Sequence, residues 1–472
     1  MKNSKEVSLS DIEKKYDVEK ITLNGECIWP VLRFKLNEEL RTFSGLKSRT
    51  FKLDASILPK LIKTLFYGFH ELFRIKSYDY WVFSSSDRRK SLKDVYVDRV
   101  IEPFSTQFEN TLMIENPYPL GFHYKKSEIP KCNIVSRTPF FLAIRIIKFF
   151  LREKLEIRNE KVLAKILQDT GVNINYLAIL KNHQAQYRLM KLMLRLKVPK
   201  LACFVYAASS MGFIKALKEA GVPVVEVQHG IINAMHHAYN YPKDFGENLT
   251  PDYLLTYGDN ELKVFDENNF FISDQRAVIP AGYYYMDAIS QIPLRSAVEA
   301  KLRQKYKKIV VFSLQDPFEE FTFPFIKEVA LQDPSVYYLL VPRNVNKSYQ
   351  DLTLEENMGM CKDLNVYECL QMADFHATIN STCAIESLFF GVPNVLFDYE
   401  EWASDYYQDI LNDAKHTKFV KSSQEFVEVI HSSPFYPKAK IIEESRLFIK
   451  RNFSENMKYA VNHKILGSLN EQ

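Results

Sequence analysis

The stretch Val222-Pro-Val-Val-Glu-Val-Gln-His-Gly-Ile-Ile232 decides how this chain folds. Its first half is a short β-branched apolar run between Gly221 and Gly230, the composition of a strand buried on both faces of a parallel sheet. Its carboxyl end turns polar, with Glu226, Gln228 and His229 close together. Open parallel sheets flanked by helices bind ligands just beyond the carboxyl ends of their strands. A histidine released there into a loop by Gly230 is placed for proton transfer or hydrogen bonding to a bound molecule. The alternative is a loop histidine that only bonds a neighbouring carbonyl.

The same grammar extends both ways from this stretch. Tyr78–Ser84, Thr111–Glu115 and Leu201–Tyr206 read as strands before it, and Asp252–Tyr257 and Ala277–Pro280 after it. Ala207-Ala-Ser-Ser-Met-Gly212 is a turn of small residues entering a helix, which places Ser209 and Ser210 at a strand end. Asp259 is positioned to cap a helix running through Phe265. Strand character fades over residues 283–307 and restarts with Lys308–Gln315, then Ser335–Val341, Asp374–Ile379 and Asn394–Phe397. Strands alternating with helical stretches mean βαβ units and parallel sheets. The expectation is an α/β chain of two Rossmann-like domains. The first covers residues 1–290 with a helical insertion around 138–198, the second covers 291–450, and a helical tail covers 451–472.

Composition narrows the function. A chain of 472 residues has room for two or three domains at about 100–200 residues each. It holds 14 glycines, where average usage would give roughly thirty, which argues against glycine-rich phosphate loops. A net charge of +4 is too small to suggest nucleic-acid binding. The six cysteines show no C-x-x-C spacing, the pattern of reduced, mostly buried thiols. With no apolar signal segment at the start and no membrane-spanning run, a cytoplasmic location is expected.

A second polar cluster lies in the later half. Asn380, Ser381 and Thr382 sit where a strand hands over to a helix, a place that offers unpaired N–H groups to an anion. Glu386, one turn on, could accept from a ribose, and Arg343 at another strand end could meet a phosphate. Ser313 and Gln315 end a third strand on the same edge, beside Asn344 in the Pro342-Arg343-Asn344 turn. Together they read as a nucleotide-diphosphate site without a glycine-rich loop. The alternatives are plain helix capping for Ser381 and Thr382, and a solvated helix position for Glu386. No G-x-x-x-x-G-K-[ST], G-x-G-x-x-G, H-E-x-x-H or D-x-D occurs, so no metal site is expected. The adjacent His236 and His237 read as loop or acceptor-site polarity, their side chains diverging too far to share a metal.

Residues 140–154 place Arg145, Lys148 and Arg152 on one stripe of a helix otherwise apolar for three turns, and Arg188, Lys191 and Arg195 repeat the pattern. Such helices either lie on an anionic membrane surface or present a solvated face on a helix packed in the core.

The two clusters resemble GT-B-type glycosyltransferases, in particular bacterial capsule and surface-polysaccharide transferases. The likeness rests on Glu226-Val-Gln-His-Gly-Ile231, and on Ser381-Thr-Cys-Ala-Ile-Glu386 with Gly391-Val-Pro393. It implies two Rossmann-like domains facing across a cleft, with the C-terminal helices crossing back to the first. It also implies a metal-independent, cofactor-free reaction on a nucleotide-sugar donor held by Ser313, Gln315, Arg343, Asn344, Asn380, Ser381, Thr382 and Glu386. The acceptor, a glycan or lipid-linked glycan such as a growing capsule or O-antigen chain, would meet Ser209, Ser210, Gln228, His236 and His237. His229 would be the base or bond the departing phosphate, with Glu226 orienting it or serving as a second base. Peripheral contact with the inner membrane follows if the acceptor is lipid-linked. Pro342-Arg343-Asn344 stands where some relatives carry His-Pro, and the E-x7-E pattern of common retaining members is missing. The rival readings are a CDP-polyol phosphotransferase of the teichoic-acid type, a nucleotide-sugar epimerase, and an inactive glycan-binding scaffold.

Overall fold

In the computed structural model the strand within the opening stretch is Val224–Val227, with parallel neighbours on both sides. The structure describes residues 8–43, 58–118, 121–151, 155–272, 274–292, 297–315, 318–343, 349, 352–361, 364–407, 410–411, 415–432 and 436–467. Two compact units form. One comprises Met1–Thr256, Leu262–Tyr284 and Asn452–Gln472; the other comprises Tyr257–Glu261 and Tyr285–Arg451.

The first unit is built on a seven-stranded parallel sheet. In chain order its strands are β1 (Tyr80–Ser85), β2 (Thr111–Asn116), β3 (Asn133–Ser136), β4 (Leu201–Phe204), β5 (Val224–Val227), β6 (Tyr253–Thr256) and β7 (Val278–Pro280). They lie side by side as β7-β6-β5-β4-β1-β2-β3. Strand alternation sends Trp81, Phe83, Phe204 and Val224 to one face and Val82, Cys203, Val225 and Val227 to the other, and both faces are covered. Double burial is why the central strands of this sheet read as largely apolar runs. The first face carries the helices Thr138–Phe150, Tyr176–Leu194 and Met211–Glu219. Gly212 lets the last of these approach closely, since a Cβ there would sit 2.4 Å from the His183 carbonyl oxygen. The second face buries Phe453, Met457, Val461 and Ile465, so the C-terminal helical segment belongs to this unit. A further core joins the N-terminal residues Leu9–Leu36 to Ile232, Tyr239, Tyr241 and Phe271.

The second unit holds β8 (Lys308–Ser313), β9 (Val336–Val341), β10 (Met358–Met360), β11 (Phe375–Ala377), β12 (Asn394–Phe397) and β13 (Thr417–Val420). Its six parallel strands are ordered β10-β9-β8-β11-β12-β13. Each sheet therefore begins with the strand order 3-2-1-4-5-6, the doubly wound Rossmann arrangement. Both sheets change direction between their first and fourth strands.

Some details differ from expectation. Asn260–Val264 is a 3-10 turn, not an α-helix capped by Asp259, whose carboxylate instead pairs with Lys450 at 2.9 Å. Three strands, β3, β10 and β13, carry too little apolar character to be read from sequence. Asn344 and Arg152 lie outside the described residues.

Candidate functional site

Ligands of doubly wound sheets gather at the carboxyl ends of the strands beside the switch of direction. In the first unit that point lies between β1 and β4, and His229 follows β5, the neighbour of β4. The ring of Tyr206, just past β4, meets the His229 ring edge-on at 5.3 Å. From the hairpin after β1 comes Arg99, whose Nη2 donates to the His229 carbonyl oxygen at 3.5 Å and whose Nη1 donates to the Tyr283 hydroxyl at 2.8 Å. The His229 pKa is held well below its ordinary value, first by burial and then by Arg88, His236 and Arg99; the Val205 carbonyl opposes this only in part. At neutral pH the imidazole is therefore uncharged, and its buried Nδ1 has no hydrogen-bond partner among the described residues. A neutral ring amid cationic groups favours an anion: bound phosphate would restore the basicity that the arginines remove.

The loop after His229 is fixed from several sides. Gln228 is fully buried and its Nε2 donates to the Gly230 carbonyl at 2.9 Å, so it shapes the turn. Asn240 Nδ2 donates to the Asn233 and His236 carbonyls at 2.7 and 3.0 Å. Arg33, ion-paired to Glu13 at 2.7 Å, donates to the carbonyls of His237 and Asn240 and stacks on Tyr241. His236 and His237 thus sit on a braced loop, both partly exposed.

Glu226 behaves differently from a base. It is buried, accepts a 2.7 Å hydrogen bond from the Tyr239 hydroxyl, and burial pushes its pKa up to about 8. No hydrogen bond joins it to His229 among the described residues. A carboxyl that keeps its proton at pH 7 cannot take one from an acceptor, which removes the chemistry expected of it as a second base. Ser209 is exposed, whereas Ser210 is fully buried and accepts from Arg137 Nη2 at 2.9 Å.

A polar network beneath this edge carries no motif that sequence alone would single out. Arg89, wholly buried, pairs with Glu115 at 2.6 Å and Glu102 at 3.3 Å. Glu115 also meets His123 Nδ1 at 2.7 Å, and His123 Nε2 meets Ser136 Oγ at 3.0 Å. The Ser–His–Glu series is enclosed, and Ser136 also accepts from the Thr138 N–H at 3.1 Å, so the cluster ties β2 to β3.

In the second unit the switch lies between β8 and β11. Ser313 ends β8 and Thr378 follows β11, with the Thr378 hydroxyl donating to the Ser313 carbonyl at 2.8 Å. Ser313 Oγ is 2.8 Å from His376 Nε2, and His376 Nδ1 is 2.7 Å from Asn394 Oδ1. Asn394 Nδ2 donates to the Ala384 carbonyl at 2.7 Å. That fixes Oδ1 as an acceptor, so His376 carries its proton on Nδ1 and Nε2 accepts from Ser313. Burial lowers the His376 pKa to about 4, keeping the ring neutral. The Ser313 hydroxyl is therefore engaged inward, bracing three strands. Arg343 and Gln315 come together as expected, Nη1 to Oε1 at 2.7 Å on an exposed rim.

Asn380 and Thr382 are partly exposed at the same edge. Thr382 is the N-cap of the helix Cys383–Phe389 and makes no side-chain capping bond; Ser381, one residue earlier, accepts from the Cys383 N–H through Oγ at 3.2 Å, while Tyr407 donates to its carbonyl at 2.6 Å. Glu386 is not a solvated position: it is buried and accepts from the Tyr367 hydroxyl at 3.1 Å.

No protein-family model and no curated protein sequence matches the chain. Solved structures do. A Listeria monocytogenes protein assigned as a UDP-N-acetylglucosamine 2-epimerase superposes with a TM-score of 0.50 at 10% identity, over 83% of this chain and 97% of that one. The calicheamicin glycosyltransferase CalG4 gives 0.49 at 12% identity, over 83% and 98%. The lipopolysaccharide outer-core galactosyltransferase WaaB gives 0.47 at 12% identity, over 82% and 99%. The chain thus has the GT-B type of fold, two Rossmann-like α/β units with a helical C-terminal segment.

Proposed function

We propose that this protein is a glycosyltransferase that takes a nucleotide-activated sugar and extends a bacterial surface glycan, without a metal or other cofactor. The observation that carries this reading is the neutral His229 at a strand end, grouped with Arg88, Arg99 and His236 beside the switch of the first sheet. His229 takes the proton from the acceptor hydroxyl as the sugar–phosphate bond breaks, or donates to the departing phosphate, and the arginines offset the charge that develops. The nucleotide is held at the second sheet's switch by Arg343, Gln315, Asn380 and Thr382, with Ser381, Glu386 and the Ser313–His376–Asn394 brace setting the backbone behind them. A glycan on a lipid carrier would bring the enzyme to the cytoplasmic face of the membrane.

A nucleotide-sugar epimerase is the second reading, favoured by the 0.50 superposition on a protein assigned to that activity. A screen of nucleotide sugars, with and without EDTA, separates them. Nucleoside diphosphate release that rises with added glycan acceptor supports transfer, and a new sugar isomer formed without acceptor supports epimerisation. His229→Ala should lower turnover by about 10²–10⁴ with the fold intact. Near-wild-type turnover by that variant would exclude His229 from the chemistry.

A further inference from the structure

We propose that three helices of the first unit, residues 58–66, 138–150 and 176–194 with the turn to residue 200, form a docking surface for an anionic lipid bilayer. The helices form one layer. Thr138 Oγ1 donates to Thr64 Oγ1 at 3.0 Å, and the inward side chains Phe140 and Ile144 share a core with Met190, Met193 and the sheet.

What faces outward is the unusual part. On helix Thr138–Phe150 the exposed side chains are Phe141, Leu142, Arg145, Ile146, Phe149 and Phe150, with Phe149 79% and Phe150 66% exposed. A helix with a solvated outer face would place polar groups there; this one places aromatic and aliphatic ones, with Arg145 among them. The neighbouring helix adds Ile62 and Phe66. Beyond it, Phe66, Phe69 and Phe73 run ring to ring at 6.3 and 5.6 Å, with Phe73 80% exposed. Monomeric proteins rarely leave a contiguous apolar surface of this kind uncovered.

Charge identifies the partner. Residues 58–66, 138–150 and 176–200 carry ten lysines and arginines and no aspartate or glutamate, in a chain whose net charge is only +4. Lys191 is paired with Glu219, and Lys197 and Lys200 with Asp79, so the surplus rests on the remaining seven, Arg145 and Lys148 among them. A two-fold dimer through this face would set the same patch against itself and bring those cations together. An anionic headgroup layer accepts the cations while the phenylalanines enter the acyl boundary. At about 20 Å, a helix of 13 residues lies along a bilayer and cannot cross its roughly 30 Å core. Among the described residues no helix is long and apolar enough to span one.

The test is sedimentation of the full chain with vesicles of phosphatidylcholine alone or mixed with phosphatidylglycerol. Binding should require phosphatidylglycerol and weaken with salt. Arg145→Ala with Lys148→Ala should lower partitioning on the order of tenfold or more, and Ile146→Glu with Phe149→Glu should abolish it. Equal binding to both vesicle types, or undiminished binding by the glutamate variant, overturns the proposal. Should the glutamate variant misfold, Phe149→Trp gives a second readout: a blue shift with phosphatidylglycerol vesicles supports the surface, and unmoved emission overturns it. A dimer broken by Phe149→Glu in light scattering, with no vesicle binding, overturns it in favour of self-association. Vesicle binding without sugar transfer still supports the surface and counts only against the transferase.

Discussion

Replacing Glu226 by glutamine should make the first unit more stable at neutral pH. In the fold this carboxyl holds its proton to about pH 8, against an ordinary 4.5 in an unfolded chain. A raised carboxyl pKa stabilises the fold fully only below the unfolded value, and that contribution is lost as pH climbs from 4.5 toward 8. At pH 7 the folded group is still protonated while the unfolded one has ionised, so the wild-type fold is disfavoured by on the order of 3 kcal/mol; at pH 5 the same difference is about 1 kcal/mol. Glutamine keeps the shape and the bond to Tyr239 but has no proton to lose. Because a chain of two units need not unfold in one step, the assay should follow hydrogen exchange of the Val225–Val227 amides, corrected for intrinsic rates. Protection in Glu226→Gln should exceed wild type by roughly 10²-fold at pH 7 and by only a few-fold at pH 5. Turnover should survive, since a protonated carboxyl is not the base. Equal or weaker protection at pH 7, or loss of turnover in a stable variant, would show that Glu226 is ionised and refute the reasoning.

Two other outcomes follow from buried groups. His183 and His376 are each held by burial at about 4, so both cost stability as pH falls from 6.5, on the order of 2–3 kcal/mol apiece by pH 4. Guanidinium melts across that range should show an acid limb that His376→Gln flattens. Gly391 sits at φ +71°, and a Cβ there would lie 2.5 Å from the Lys438 carbonyl oxygen. Gly391→Ala should therefore cost about 2 kcal/mol or more, read as a lowered thermal midpoint of the second unit.

Burial on two faces made the centre of each sheet legible. β1, β4, β5, β8 and β9 are mostly apolar because both faces of their sheets are covered, and both their existence and their polar carboxyl ends could be read directly. The unread strands β3, β10 and β13 all lie at sheet edges, where one side faces less protein and the residues turn mixed, as in Met358-Gly-Met360 and Thr417-Lys-Phe-Val420. Site residues divide in the same way. His229, Gln315 and Arg343 were visible because each ends a legible strand. Arg99 was not, since its position depends on Tyr283, 184 residues away, and His376 looked like one more strand residue until Asn394 and Ser313 closed on its two nitrogens. Glu226 is the instructive case, because its state was implicit in the opening stretch. If Val224–Val227 is buried on both faces, no parity of the strand can bring its one carboxylate to water. An isolated charge in that setting is far costlier than a proton retained. A strand buried on both faces therefore already requires a neutral Glu226, which leaves His229 as the group of the pair with a free lone pair to accept a proton at pH 7.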